Sequence, residues 1–416
     1  MRMLVPLKER DFARLWVGMT VSLFGDGIYL VALTWQVLAI SDTPLALSIA
    51  GIAWTTPQVV LLLAGGVVTD RLDRRTVLIA SDVVRALSIG LLGGLSLAGE
   101  LELWHIYALV AVHGIGEAFF MPAFGAIVPE IVPQHLLVEA NSLDQFVRPV
   151  TMRFIGPGVG GFIVSAWAPG TGLLIDAATF AVSALAITSM TPRMRPAAGV
   201  AARSSALSEI KEGLAFVRSQ SWLWWGLMAT AVGVVFFYGP WQALIPVIIK
   251  KGIGGGPEAY GLMLAIGGVG SVLAALAVGQ RGLPRRPVIF TLGCWSLGML
   301  FLSTFALASA PWQVMAAAFV MEALLTAGQI IWATLQHRRV PGNLLGRVSS
   351  FDWLVSMSLV PLSLALTGPI GEAFGATTTT LWAGLIGSVS IAAFIASPGL
   401  RRRQAAGQEQ GPAHVP

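Results

Sequence analysis

The sequence predicts an all-α membrane protein that crosses the bilayer twelve times, as two six-helix halves of like architecture. Three observations predict it. Of 416 residues, 55% are hydrophobic and 11% are charged, against about 45–50% and about 25% in soluble domains. Mean hydropathy is +0.76, and a chain this apolar has too few polar side chains to cover itself in water. The apolar residues fall in runs of about 20, the length a helix needs to cross a hydrocarbon core of about 30 Å. The basic residues are lopsided. Counting Arg14 with the N-terminal segment, twenty-one of the 26 Lys and Arg lie on one set of alternate loops, and only Lys250 and Lys251 on the other.

The runs give spans at 14–40, 46–69, 76–98, 103–127, 142–167 and 172–191, then 222–249, 257–280, 287–309, 312–335, 351–371 and 376–397. The fifth and eleventh carry prolines and ionisable residues and are the least sharply drawn. Basic residues are retained on the cytoplasmic side, so both termini are expected inside. The opening MRMLVPLKERDFARLW runs into an apolar stretch too long for a signal peptide, and it is read as the start of the first span.

Four regions follow: residues 1–191 as an N-terminal half, 192–221 as a cytoplasmic linker, 222–397 as a C-terminal half, and 398–416 as a polar cytoplasmic tail. In the linker, Leu207, Ile210, Leu214 and Val217 recur at helical spacing, which predicts an amphipathic helix on the membrane surface. The halves repeat. VPQHLLVEANSLD at 132–144 and VPGNLLGRVSSFD at 340–352 agree at six of thirteen positions, 208 residues apart. LDRRTVL at 72–78 is echoed by LPRRPVI at 283–289.

Two motifs carry a resemblance. Between the second and third spans, GVVTDRLDRRTVL at 66–78 packs five charges into six positions from Asp70 to Arg75. In the fifth span, GPGVGG at 156–161 combines a helix-bending Pro157 with Gly156, Gly160 and Gly161, which allow close helix approach. The loop resembles the signature of the major facilitator superfamily, matching it at Gly66, Asp70, Arg71, Arg74 and Leu78, with Arg75 for the usual Lys and Asp73 for the usual Gly. GPGVGG is similar to the antiporter motif of that superfamily's drug exporters, with Met152 at the leading Gly position. The resemblance implies a transporter with substrate bound between its halves, working by alternating access, with the loop charges latching one state.

Ionisable side chains inside spans are candidates for function, because each costs on the order of 3 kcal/mol to place in lipid. In the first span Ser22, Asp26, Tyr29 and Gln36 share a helical face, and Asp26 lies about 18 Å past Arg14 by helix rise. His113 and Glu117, four apart, share a face of the fourth span. Asp26 is a candidate proton-carrying or cation-binding carboxylate, Glu117 a candidate proton carrier, and Arg153 the candidate base to answer either. Asp82 with Arg85, and Asp144 with Arg148, read as local structural or gating pairs. Glu322 with Thr326 and Gln329 makes a comparable stripe on the tenth span. Phe236, Phe237, Tyr238 and Trp241 suggest an aromatic wall suited to lipophilic compounds.

The expected function is proton-driven efflux of small lipophilic compounds, as in the drug and siderophore exporters of the resembled superfamily. Uptake, or movement of a lipid such as a lysophospholipid, is the alternative, and a transporter-like receptor a further one. No nucleotide loop, metal-ligand spacing or nucleophile motif points to an enzyme, a cofactor or direct ATP drive. The dispersed positive charge gives no basic patch for nucleic acid. One chain supplies both halves, so a monomer is expected to suffice in the cell membrane.

Overall fold

The computed structural model describes residues 2–191 and 214–396. Among them, helices α1 (Arg10–Ile40), α2 (Pro44–Arg71), α3 (Arg74–Ala98) and α4 (Leu103–Ile131) follow one another through short turns. Next come α5 (Leu137–Pro149), α6 (Gly156–Ala166) and α7 (Pro169–Thr188). After the linker stand α8 (Ser221–Gly239), α9 (Pro257–Arg281), α10 (Pro287–Thr304), α11 (Pro311–Arg339), α12 (Gly342–Phe374) and α13 (Ala376–Ile395).

The sequence sets these starts locally. α2, α7, α9, α10 and α11 each begin on proline, whose missing N–H costs nothing in a first turn. Asp73 caps α3 by accepting from the Thr76 amide at 3.1 Å, and Thr43 caps α2 through Ala46. Gly99, at φ 77°, takes the left-handed conformation that ends α3.

Eleven helices among the described residues are long and apolar enough to cross a membrane. The expected fifth span is the one missing from that set, because its helical run is divided. α5 ends at Pro149, a π-helical stretch covers Val150–Ile155, and α6 resumes at Gly156–Ala166. Two further π-helical stretches, Pro240–Leu244 and Ile248–Gly252, carry α8 past Pro240 and Pro246. Large apolar side chains stand exposed along the helices, among them Leu87, Leu185 and Val389. Trp104, Trp167 and Trp312 are exposed at the helix ends opposite the arginine-rich loops, where tryptophan suits a membrane interface.

Two compact units form: Met1–Ala197 with Pro246–Gly268, and Ala198–Ile245 with Val269–Pro416. In the first, α1 packs on α7 and α6, α3 on α7 and α4, and α2 on α4. In the second, α10 packs on α13 and α11, and α8 on α12 and α13. Of the expected linker helix, Leu207 and Ile210 lie outside the described residues; Leu214 and Val217 fall in a helical turn at 214–219, with Val217 fully buried. The tail 398–416 also lies outside them.

The segment Pro246–Gly268 belongs to the first unit, and Lys250 near its start ties it to the turn after α1. Lys250 Nζ donates to Asp42 Oδ1 at 2.5 Å and to the Leu38 carbonyl at 2.6 Å. Asp42 sits in the turn between α1 and α2, and this hydrogen bond holds its carboxyl below the usual carboxylate range. Because the pKa is lowered on folding, the contact contributes above the ordinary carboxylate pKa and is lost as pH falls through the lowered value. The pair is partly exposed, so its contribution is about 1 kcal/mol or less. Thermal unfolding in detergent should show a small loss of stability at acid pH that Lys250→Gln removes; equal acid sensitivity in that variant would exclude the contact as its source.

Candidate functional site

Close helix crossings in the first unit build a polar pocket. α2 and α4 approach at glycine: a Cβ on Gly114 would meet the Trp54 backbone, and one on Gly65 the Ala118 carbonyl. That crossing brings Trp54 and Gln58, one turn apart on α2, onto Glu117 of α4. Trp54 Nε1 donates to Glu117 Oε2 at 2.9 Å, and Gln58 Nε2 donates to the same oxygen at 2.6 Å. The carboxylate is thus held by two neutral donors rather than by a cation.

α1 enters the pocket through a second pair of close approaches. Gly25 faces Asp176 and Thr179 of α7, and Gly27 faces Gly156 of α6. Between these glycines lies Asp26, partly exposed, while Tyr29 one turn on is buried. The Tyr29 ring lies 5.0 Å from His113 and 5.8 Å, edge-on, from Trp54. His113 in turn lies 5.7 Å from Phe180.

α3 supplies the cation. Arg85 is ion-paired with Asp82 one turn before it, and both are buried. The guanidinium also stacks over Phe120 at 4.1 Å and Phe180 at 4.3 Å. Tyr29 Oη, Asp82 Oδ2, His113 Nδ1 and Asp176 Oδ2 are buried without a hydrogen-bond partner among the described residues. The pocket therefore holds Asp26, Asp82, Glu117 and Asp176, Asp82 alone of them ion-paired with Arg85, with unused hydrogen-bonding capacity at several buried atoms. No group of three or more His, Cys, Asp or Glu suited to a metal occurs among the described residues.

The other sequence candidates are placed as follows. Arg153 lies exposed in the π-helical stretch before α6, with Gly268 against its backbone carbonyl. Arg85, read from sequence as half of a local pair with Asp82, makes that pair in the structure. Arg148 pairs with Asp144 at 3.2 Å. Gln36, on the Asp26 face, is committed elsewhere, accepting from Ser96 at 2.6 Å. In the second unit Glu322 accepts from Ser271 at 3.3 Å, and Ser271 from Thr326 at 2.9 Å. Phe237 stacks on Trp241 at 5.7 Å, and Trp241 meets Phe305 edge-on. Asp352, the repeat counterpart of Asp144, accepts from Gln336 at 3.0 Å and Trp332 at 3.3 Å; only the repeat singles it out in the sequence.

The arginine loop ties helix ends together. Arg74 Nη1 donates to the Ala126 carbonyl and to Glu130 Oε1, the latter at 2.6 Å. Arg75 donates to the carbonyls of Ile187, at 3.0 Å, and Thr188. Both thus approach the negative C-terminal ends of α4 and α7, where a cation is favoured. Arg71 is exposed, and a Cβ on Gly66 would meet nothing within 4 Å. Asp70 falls in the last turn of α2, and its side chain lies outside the described residues.

GPGVGG forms a seam. Gly156 and Gly160 lie against Gly27 and Ile28 of α1, and Gly161 against Pro257, Glu258 and Gly261 of α9. Pro157 stands at the start of α6, and its carbonyl faces Gly261.

The family described as transmembrane secretion effector, of the major facilitator class, matches residues 1–410. The chain belongs to that family. The transporter is 29% identical over 392 residues to the multidrug efflux pump Tap of Mycolicibacterium fortuitum, covering 90% of this chain and 91% of that protein. It is 23% identical over 380 residues to macrolide efflux protein A of Streptococcus pyogenes, covering 90% and 93%. Its fold is similar to a D-xylose–proton symporter, with a TM-score of 0.67, 16% identity and coverage of 92% and 97%. It is a multi-pass membrane transporter, not an enzyme.

Proposed function

We propose that this transporter exports small lipophilic compounds in exchange for protons, by alternating access, from a cell membrane in which both termini face the cytoplasm. The observation that carries the reading is the pocket in which Trp54 joins Glu117 to Tyr29, one turn from Asp26. Glu117, bound by Trp54 and Gln58, makes no ion pair among the described residues. A proton taken up there neutralises the pocket in one state of the cycle, and its release restores the charge in the other. The two states then differ in free energy by the differential binding of that proton. Trp54 in the first unit, backed by the buried rings of Tyr29 and His113, and Phe237 and Trp241 in the second, offer aromatic faces for apolar or cationic cargo. The efflux pumps among its relatives support export as the direction. Asp70 with Arg71, Arg74 and Arg75 is assigned to the latch between states, and Gly156, Pro157, Gly160 and Gly161 to the seam on which helices move. Glu322 is assigned a polar contact with cargo, and Arg153 a peripheral charge. The monomer is the working unit.

Proteoliposomes with an imposed pH gradient test this. Lipophilic dye should move against its own gradient in the native protein, and Glu117→Gln and Asp26→Asn should each reduce that movement by about tenfold or more. Dye movement indifferent to the pH gradient, with both variants equal to native, would refute proton exchange.

A further inference from the structure

The two repeats differ where their arginine loops meet the membrane. In the first unit Arg74 is answered by Glu130. The repeat places Arg285 at the position of Arg74 and Arg338 at that of Glu130, so the acid of the first half is a base in the second. Arg281, Arg285, Arg286 and Arg338 are all exposed, and none of their side chains has a hydrogen-bond or ion-pair partner among the described residues. Four cations thus gather without counter-charge at one end of the second unit.

Beside them lies a cavity of about 510 Å³ between α9, the start of α10, and α11. Val278, Phe290, Phe319, Leu324 and Ile331 line it, and Arg281 is the one charged residue in its wall among the described residues. Along α11 the lining runs from Phe319 to Ile331, about 18 Å by helix rise. That is close to the depth of one leaflet, roughly half of a 30 Å hydrocarbon core. Arg338 falls two turns past Ile331 on the same face, at the level where headgroups begin.

We propose that this groove is a binding site for an anionic phospholipid, with one acyl chain along α11 and the phosphate among Arg281, Arg285, Arg286 and Arg338. Depth fixes the tail and charge fixes the head. A zwitterionic lipid would fill the groove but leave the arginines unneutralised, whereas basic pockets between helices favour anionic headgroups. The site lies wholly within the second unit and does not depend on the direction of transport or on proton exchange.

Native mass spectrometry of the full chain, purified from bilayers of equimolar phosphatidylglycerol and phosphatidylcholine, provides the test. Retained phosphatidylglycerol should exceed phosphatidylcholine in the native protein. Arg338→Glu recreates the acid of the first half and should lower that preference by about fivefold or more. Arg281→Gln with Arg285→Gln and Arg286→Gln should remove it. Ala323→Phe, which fills the groove, should lower retained lipid with every arginine intact; size-exclusion profiles would verify that each variant is folded. Retention that follows the bulk lipid ratio, or arginine variants that keep the native preference, would overturn the assignment. So would a dimer that excludes lipid, which would give the groove to a second copy of the chain.

Discussion

Arg85→Ala is expected to cost about 3–5 kcal/mol of stability, because it strands the Asp82 carboxylate. Asp82 is fully buried and Arg85 is 3% exposed, so water cannot reach in to compensate. The substitution also empties the space between Phe120 and Phe180 that the guanidinium fills. Arg85→Lys keeps a charge but not the planar face that stacks on both rings, and should fall between native and alanine. Removing both partners, Arg85→Ala with Asp82→Ala, should recover part of the loss. Thermal melting in detergent, read by size-exclusion recovery, checks the series. An alanine variant as stable as native would mean that the pair contributes nothing.

Gly161→Val is the second large effect. A Cβ there would lie 2.8 Å from the Pro257 carbonyl oxygen and 3.1 Å from the Cα atoms of Glu258 and Gly261. These neighbours are backbone, so no flexible side chain can give way. Overpacking costs about 1–3 kcal/mol when neighbours can shift, and this site belongs at the upper end. Gly94→Ala is the control: nothing lies within 4 Å of its Cβ position, and alanine favours a helix interior. It should melt at or slightly above the native temperature. Equal melting of Gly161→Val and Gly94→Ala would remove the seam from the account of GPGVGG.

Most of the helical layout is legible in the sequence, because lipid imposes one simple demand on length and hydropathy. Hydropathy starts the first span at residue 14, whereas α1 begins at Arg10; it ends the tenth span at 335, whereas α11 runs to Arg339. Charged first and last turns read as loop but are helical, since at an interface the ladder continues into water. The fifth helical run is the exception. Its prolines divide it with a π-helical stretch, which hydropathy cannot resolve.

The pocket is legible only by faces. Four-residue spacing puts His113 and Glu117 together on α4, as in the structure. Nothing near Glu117 names Trp54 and Gln58, 63 and 59 positions earlier, because that contact depends on how closely α2 and α4 cross. For the same reason Arg85 looks local in sequence, one turn from Asp82, while its aromatic walls come from α4 and α7. Charge content marks candidates; helix approach, set by small residues on other helices, selects their partners.

The π-helical stretches at Val150–Ile155, Pro240–Leu244 and Ile248–Gly252 bear on how this chain tolerates insertion and deletion during descent. A π-turn holds one residue more than α-helical geometry requires. Losing one residue there lets the helix close to an ordinary ladder with both flanks still facing their neighbours. Losing one elsewhere in a span rotates everything beyond it by about 100° and turns a buried face to lipid. Length variation inside the membrane should therefore concentrate at these three stretches, while the uninterrupted spans keep a constant count of residues.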